Sequence, residues 1–597
     1  MAETSNKPSS SSLSRELTEI EDEIKLIDNQ VTELKQRKRK LVEKRDQLLR
    51  IIERRIDDKT NSESAWESEK FIWSASLRSA LTSVFKMSDF RELQLSVINA
   101  CLSGEDAILI MSTGGGKSLC YQLPAVISDG ITLVVSPLVS LMEDQVMALE
   151  QLNIESAMLD QSCPPARLTA IQNAMIDKTN RTLKLIYVTP EKIAKSKRFM
   201  SKLEKCYEMG RLKLIAIDEV HCCSQWGHDF RTDYKFLNIL KRQFPKTPLL
   251  GLTATAGSRV VDDVKNMLNI PAALVFRAGF NRRNLFYEVR QKPADSKEFL
   301  EDICKMIKER FVGECGIVYC FSKKESEELT DGLRKAGIKA AFYHADVDSQ
   351  RRSEVHRKWT SNQYQVIVAT VAFGMGIDKP DVRFVIHHSL PKSMENYYQE
   401  SGRAGRDSKS SVCLLYYRYG DIFRQSTMVC TEKTGIENLY SIVNYCQTPS
   451  NECRRAVIAR HFGETWDRSW CEEMCDNCKK NKNGQLVEEC LDVAAHCRTI
   501  LSIIGKSDSK LTALKLIEAF MKTQKKNSIA REKAERIIVH LLLEGYLKED
   551  FHFTPYSIIS YLTTGARAAF LNDGDVIFMS DCGEIYKGPP AKKRRTE

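Results

Sequence analysis

Met111-Ser112-Thr113-Gly114-Gly115-Gly116-Lys117-Ser118 joins consecutive glycines to a lysine and a hydroxyl. Glycines let backbone N–H groups close on phosphates, and a helix opening at the same point adds positive dipole. Lys117 is then placed for the β- and γ-phosphates of ATP, and Ser118 for Mg²⁺. Met111 stands where the common pattern has its first glycine, which leaves a ligand-free glycine turn as the competing reading. Leu214-Ile215-Ala216-Ile217-Asp218-Glu219 ends an apolar run on two carboxylates. Asp218 suits Mg²⁺ and Glu219 an attacking water. Far downstream, Arg403 and Arg406 lie in Ser401-Gly402-Arg403-Ala404-Gly405-Arg406, spaced to reach a nucleotide from across a cleft. Guanidinium fits that task because it is planar, always charged and can bind bidentately.

A second constellation is metallic. Cys471, Cys475 and Cys478 are closely spaced, and Cys453 can return from upstream. Four thiolates close a tetrahedral shell for structural Zn²⁺ with no open position for chemistry. Scattered core cysteines are the alternative, and nearby Cys446 is left out of the set.

These groups need strands to carry them. Asp106–Met111 is an apolar run of strand length, and Ser118–Pro124 opens like a helix. Short apolar strands alternating with helical stretches predict two parallel sheets with covering helices, in residues 63–281 and 282–418. Ligands then belong at the carboxyl ends of the strands. Ser136, Thr189, Ser322 and Thr370 carry hydroxyls near loop starts and are candidates for DNA phosphate contacts. Residues 419–480 hold the cysteines, and 481–590 read as helices (Cys490 to Ile503, Ala513 to Met521, Arg531 to Leu543) followed by a strand pair. Phe71 and Trp73 are expected to anchor the entry to the first sheet.

The ordered series is similar to the RecQ family of superfamily-2 helicases over roughly residues 63 to 580. It runs Phe90-Arg91-Glu92-Leu93-Gln94, the phosphate loop, Ser136–Leu141, Tyr187–Glu191, Asp218-Glu219-Val220-His221, Leu252–Ala256, Ile317–Ser322, Ala369–Lys379 and the arginine segment. The resemblance implies two tandem RecA-like domains, a helical zinc-binding module and a winged helix. It also implies an ATP-dependent DNA helicase moving 3′ to 5′ on single-stranded and forked DNA in repair, replication and recombination, with strand annealing as an accompanying activity. It assigns Gln94 to the adenine edge with Arg91 beside it, and Arg403 and Arg406 to the γ-phosphate, Arg406 as the finger. Ser224–Arg231 resembles the family's aromatic-rich loop, in which Trp226, Phe230 and Arg231 would sense DNA by stacking and charge. Tyr556, near the hairpin turn, is either the residue that separates the first base pair or a core-facing tyrosine. At Phe280-Asn281-Arg282-Arg283-Asn284, Arg283 replaces the family's proline, and added hinge flexibility is expected. An ATP-switched annealing scaffold and a DExH-type RNA helicase remain alternatives, the second disfavoured by the zinc and winged-helix regions.

Composition sets bounds. The 597 residues exceed one core, and 42% hydrophobic with 28% charged is that of a soluble globular protein. Lys+Arg exceeds Asp+Glu by 89 − 79 = 10, which suits a polyanion without requiring one. No run reaches membrane-helix length, so no membrane partner is expected. The start lacks a signal peptide's apolar region and the 19 cysteines suit a reducing compartment. Within residues 1–62 a Ser-rich start precedes a heptad seam from Leu17 through Ile20, Ile24, Ile27, Val31, Leu34, Lys38, Leu41, Arg45, Leu48 and Ile52. That seam reads as a coiled coil implying a homo-oligomer, or as an amphipathic helix on its own motor. The basic tail, residues 591–597, reads as a nuclear import signal.

Overall fold

The computed structural model describes residues 65–160, 163–224, 231–374, 379–481, 489–524, 529–572 and 575–581. The chain divides into two units, Met1–Phe71 and Ile72–Glu597. In the first, the described residues include a parallel stack of Trp66 on Phe71, with ring centroids 6.2 Å apart. The heptad seam and the basic tail lie outside the described residues.

The second unit opens on a sheet of seven parallel strands: β1 (Ala107–Ile110), β2 (Ile131–Val135), β3 (Ser156–Leu159), β4 (Leu185–Val188), β5 (Leu212–Ile217), β6 (Leu249–Thr253) and β7 (Leu274–Arg277). Their order is β3-β4-β2-β5-β6-β1-β7. The central strands are apolar and buried on both faces, as a parallel sheet covered by helices requires. Trp73 does anchor the entry: its indole N–H donates to Asn99 Oδ1 at 2.9 Å on the helix Gln94–Leu102.

A second parallel sheet follows: β8 (Leu285–Gln291), β9 (Cys315–Tyr319), β10 (Ala340–Tyr343), β11 (Val366–Ala369), β12 (Val382–His387) and β13 (Ser411–Tyr417), in the order β10-β11-β9-β12-β13-β8. Its centre is a glycine–aromatic contact. Gly316 on β9 pairs with Phe384 on β12, and a Cβ there would lie 2.1 Å from the Phe384 ring. The ring is clamped on its other side by Phe311, 4.5 Å away between centroids.

Helices Tyr419–Val429, Gly435–Cys446 and Arg454–His461 then lead to the cysteine segment. This module is sewn to the sheet edge: Tyr287 on β8 donates its backbone N–H to Met474 O at 3.2 Å, and Val289 donates to Asp476 Oδ2 at 3.2 Å. Beyond it come β14 (Glu489–Asp492), helices Ala494–Lys506, Ala513–Thr523 and Arg531–Leu543, and β15 (Leu547–Phe553) paired antiparallel with β16 (Ile558–Thr564). A last strand, β17 (Phe578–Asp581), pairs with β14.

Two sequence expectations shift here. Helix does not begin at Cys490, because Glu489–Asp492 is strand and the Asp492 carboxylate accepts from the N–H groups of Ala494 and Ile577, ending the strand and starting the helix. The second hairpin strand begins at Ile558, so Tyr556 belongs to the turn, which Thr554 and Ser557 close by a 2.9 Å backbone bond.

Gly316→Ala is expected to destabilise the second sheet by about 1–3 kcal/mol through overpacking. A melting temperature equal to wild type by calorimetry would show that Phe384 can retreat at no cost.

Candidate functional site

The phosphate loop leaves the carboxyl end of β1, and the acidic pair leaves β5, two strands away in the sheet. Gly114 and Gly116 adopt φ of 82° and 91°, a region open to glycine at no steric cost. Lys117 folds back onto the loop, its ammonium donating to Met111 O at 3.0 Å. Gln94 and Arg91 close the other side. Gln94 Nε2 donates to Gly116 O at 2.9 Å, its Oε1 accepts from the Arg91 N–H at 2.8 Å, and Arg91 Nη1 donates to Gly114 O at 2.6 Å.

Asp218 and Glu219 form a strained, desolvated pair. Glu219 sits at φ 47° and ψ 47°, a left-handed conformation that costs a non-glycine residue of order 1–3 kcal/mol. Burial, reinforced by Glu219 beside it, pushes the Asp218 carboxyl up to about 7, while Lys117 pulls it back. Burial lowers Lys117 in turn, against the raising influence of the two carboxylates. A carboxylate so poorly compensated fits a divalent cation, and the donor set of Asp218 with the Ser118 hydroxyl is the hard-oxygen type Mg²⁺ takes. Two buried residues beyond the sequence-derived set complete this side. His221 lies 3.3 Å from Glu219 Oε2 and 2.9 Å from Thr253 Oγ1, linking the acidic pair to the loop after β6. Both lie in motifs of the ordered series, Asp218–His221 and Leu252–Ala256, but nothing in the sequence showed that the two side chains meet.

The second lobe reaches into this site. A Cβ on Gly114 would lie 2.8 Å from Arg406 Cγ, so the arginine stem rests directly on the phosphate loop. Arg406 is also among the charges felt by Lys117. Arg403 is buried in the second lobe, with Nη2 3.9 Å from where a Gly374 Cβ would stand. Between the two lobes lies a residue to which sequence reading assigned no role. Arg282 Nη1 donates to Thr113 O at 2.8 Å and Gly402 O at 3.3 Å, and Nη2 donates to Ala404 O at 3.0 Å and Gly405 O at 3.1 Å. One guanidinium therefore ties the phosphate loop to the arginine segment. The hinge around it is bonded from both sides by side chains remote in sequence. Glu464 accepts from the Phe280 N–H at 3.0 Å, and Tyr398 donates to Phe280 O at 2.9 Å.

The candidate DNA contacts fall into distinct settings. Ser136, Thr189, Ser322 and Thr370 all follow carboxyl ends of parallel strands. Ser136 is only 2% exposed, and Ser322 is occupied as a helix cap, accepting from the Glu325 N–H at 3.2 Å. Arg231 donates to Pro137 O at 3.1 Å, beside Ser136. Trp226 and Phe230 lie outside the described residues. On this side a cleft of about 1210 Å³ runs between the lobes, lined by Asp144 and Asp160 from one and Arg352 and Gly374 from the other. Tyr556 is 98% exposed at the hairpin tip, which removes the core-facing reading.

Cys453, Cys471, Cys475 and Cys478 converge, their sulfurs all within 4.8 Å of one another. Cys453 Sγ and Cys471 Sγ lie 4.0 and 3.7 Å from Cys475 Sγ. Tetrahedral Zn²⁺ with Zn–S near 2.3 Å demands about 3.8 Å between sulfurs, so the set fits that ion. Cys446 is buried and stands outside the cluster.

Comparison with known proteins agrees with this geometry. The chain matches the DEAD/DEAH box helicase model over residues 91–264, the helicase conserved C-terminal domain over 298–408 and the RecQ zinc-binding model over 419–479. It is 51% identical over 588 residues to the rat ATP-dependent DNA helicase Q1, covering 95% of this chain and 94% of that one. It is 46% identical to the Arabidopsis thaliana ATP-dependent DNA helicase Q-like 2, covering 95% and 81%. The DUF1998 helicase MrfA bound to DNA shares the fold at a TM-score of 0.50 and 15% identity, covering 84% and 67%. Two parallel sheets matching the DEAD/DEAH box and helicase C-terminal models define a superfamily-2 helicase motor. With its four-cysteine module, the chain belongs to the RecQ family and is an ATP-dependent DNA helicase. Among the described residues no helix is long and apolar enough to cross a membrane.

Cys478→Ser is expected to lower bound zinc, read by a colorimetric chelator after denaturation, and to lower the melting temperature. Full zinc content and unchanged melting would exclude Cys478 as a ligand.

Proposed function

We propose that this helicase unwinds forked duplex DNA with 3′-to-5′ polarity, using ATP with Mg²⁺ bound at the junction of the two lobes. The observation that carries the reading is the seat of Arg406 on Gly114, within the electrostatic reach of Lys117. Met111 to Ser118 would wrap the phosphates, Lys117 holding the β- and γ-groups and Ser118 with Asp218 holding Mg²⁺. The metal supplies charge neutralisation of the phosphates when bound. Glu219, oriented by His221, would take the proton of the attacking water. Arg406 would meet the charge developing on the γ-phosphate, with Arg403 supporting the second lobe behind it. Gln94 and Arg91 would exchange their present bonds to Gly116 and Gly114 for the adenine.

DNA would cross the lobes at the strand ends bearing Thr189 and Thr370, with Ser136 and Ser322 engaging only after local rearrangement. Trp226, Phe230 and Arg231 would report occupancy to the acidic pair. The three helices and hairpin after residue 481 are read as a winged helix, and Tyr556 as the aromatic that stacks on the first frayed base pair. The heptad seam would assemble a homo-oligomer, and the basic tail would direct the chain to the nucleus, for repair, replication and recombination. Strand annealing would accompany unwinding through the same DNA surfaces.

Lys117→Ala should reduce DNA-stimulated ATPase at least about 100-fold, and Arg406→Ala by about 1000-fold, with single-stranded DNA binding retained. Hydrolysis at wild-type rate in either would exclude the shared site. Removal of residues 1–56 is expected to lower the mass measured by light scattering; an unchanged mass would locate assembly elsewhere.

A further inference from the structure

Glu549 is an acid in a place where strands normally carry packing residues. It lies on β15 opposite Leu562, partly buried, four residues before the end of the strand that leads to the Tyr556 turn. Three hydroxyls converge on its carboxylate from three elements. Tyr440, on the helix Gly435–Cys446, donates to Oε1 at 2.7 Å. Ser426, on the helix Tyr419–Val429, and Ser560, on β16, each come to 2.5 Å from Oε2. Burial raises the carboxyl above its ordinary value and the three hydroxyls oppose that rise.

The position of these partners matters more than their number. The helix bearing Ser426 begins at Tyr419, immediately after β13 ends at Tyr417, and β13 begins at Ser411, soon after Arg406. A covalent and hydrogen-bonded path therefore runs from the arginine segment along β13 and its following helix to Glu549. From there β15 extends about 14 Å to Phe553 before the exposed turn. A two-stranded hairpin is marginally stable alone and yields at its tip unless its base is fixed. Burying a carboxylate costs free energy unless its acceptor sites are filled, and hydroxyl donors from both sides of a joint fill them only in one relative orientation. An apolar contact would tolerate sliding, whereas this one specifies angle.

We propose that Glu549 is the positioning residue that locks the hairpin to the motor, so that movement of the second lobe is delivered to the strand fork. The inference rests on the reading of the hairpin as the strand-separating element. It predicts a residue whose loss uncouples hydrolysis from unwinding without touching nucleotide or the separated bases.

The test measures DNA-stimulated ATPase and forked-duplex unwinding on the full-length protein, expressed as ATP hydrolysed per base pair opened. Glu549→Leu should cut unwinding by about tenfold with ATPase within about twofold of wild type, so that the ratio rises. Glu549→Gln keeps an acceptor oxygen and an amide that the hydroxyls can accept from, and should restore the wild-type ratio. Tyr440→Phe, which deletes one donor without changing shape, guards against misfolding of the leucine variant and should raise the ratio by about threefold. A wild-type ratio in both Glu549→Leu and Tyr440→Phe overturns the proposal, as does an equal loss of both activities in the two variants. Tyr556→Ala separates the two ideas. Impaired unwinding by Tyr556→Ala alongside normal coupling in Glu549→Leu overturns the anchor and keeps the wedge. Normal unwinding by Tyr556→Ala with a raised ratio in Glu549→Leu supports the anchor and removes the tyrosine from strand separation.

Discussion

An arginine from one sheet lying on a glycine of another is the contact around which this molecule is arranged. Lys117, Asp218, Glu219 and Arg406 bring two cations and two carboxylates into a poorly hydrated seam. The cations offset the carboxylates only in part, and removing one partner from such a set leaves a still less compensated charge. The seam is thus stable only when the lobes supply both halves. Gly114 is the steric condition for that meeting, since any side chain would collide with the arginine stem at 2.8 Å. Its φ of 82° would independently disfavour another residue.

The hinge makes the meeting conditional. Phe280 is held at both its N–H and its carbonyl, and stacks on Phe462 with centroids 4.3 Å apart, so the zinc-bearing module grips the crossover. Arg282 then has one carbonyl on the phosphate loop and three on the arginine segment. Drawing the lobes apart breaks the Thr113 bond before the other three, which belong to the arginine's own lobe. The same guanidinium can therefore stay with the second lobe while releasing the first.

The chemistry of this chain was legible where it is carried by short runs of contiguous residues. The phosphate loop, the acidic pair and the Cys471–Cys478 spacing each state their geometry locally, and Arg406, singled out in the sequence for the γ-phosphate, lies against Gly114 in the fold. The parallel sheets followed from apolar runs separated by helical stretches. What escaped was set by tertiary partners with no sequence signature. Arg282 reads as one basic residue beside another, and only the fold brings Thr113 and Gly405 to it. Nor do Glu464 and Tyr398, remote in sequence, announce that they bond the Phe280 backbone at the hinge. The helix expected from Cys490 failed for the same reason, as β14 exists only because β17 lies beside it. Tyr556 was undecidable between core and tip until the turn length fixed its exposure.

These features divide the work of opening DNA unequally. Losing one stacked pair costs on the order of 1.4 kcal/mol, and an aromatic platform returns roughly 1–3 kcal/mol per stacked base. A single tyrosine at the hairpin tip would therefore suffice, on the proposed reading, to hold one frayed pair open, but would have nothing to offer the next pair until the strand had advanced. On that reading advance would come from the seam between the lobes, where nucleotide charge would be exchanged for Arg406 and Lys117 contacts. On the proposed reading the hairpin would contribute no energy of its own beyond that first stack; it would contribute position. A wedge used this way would need little affinity and much stiffness, which a satisfied polar joint at the base and a 98% exposed tip would serve.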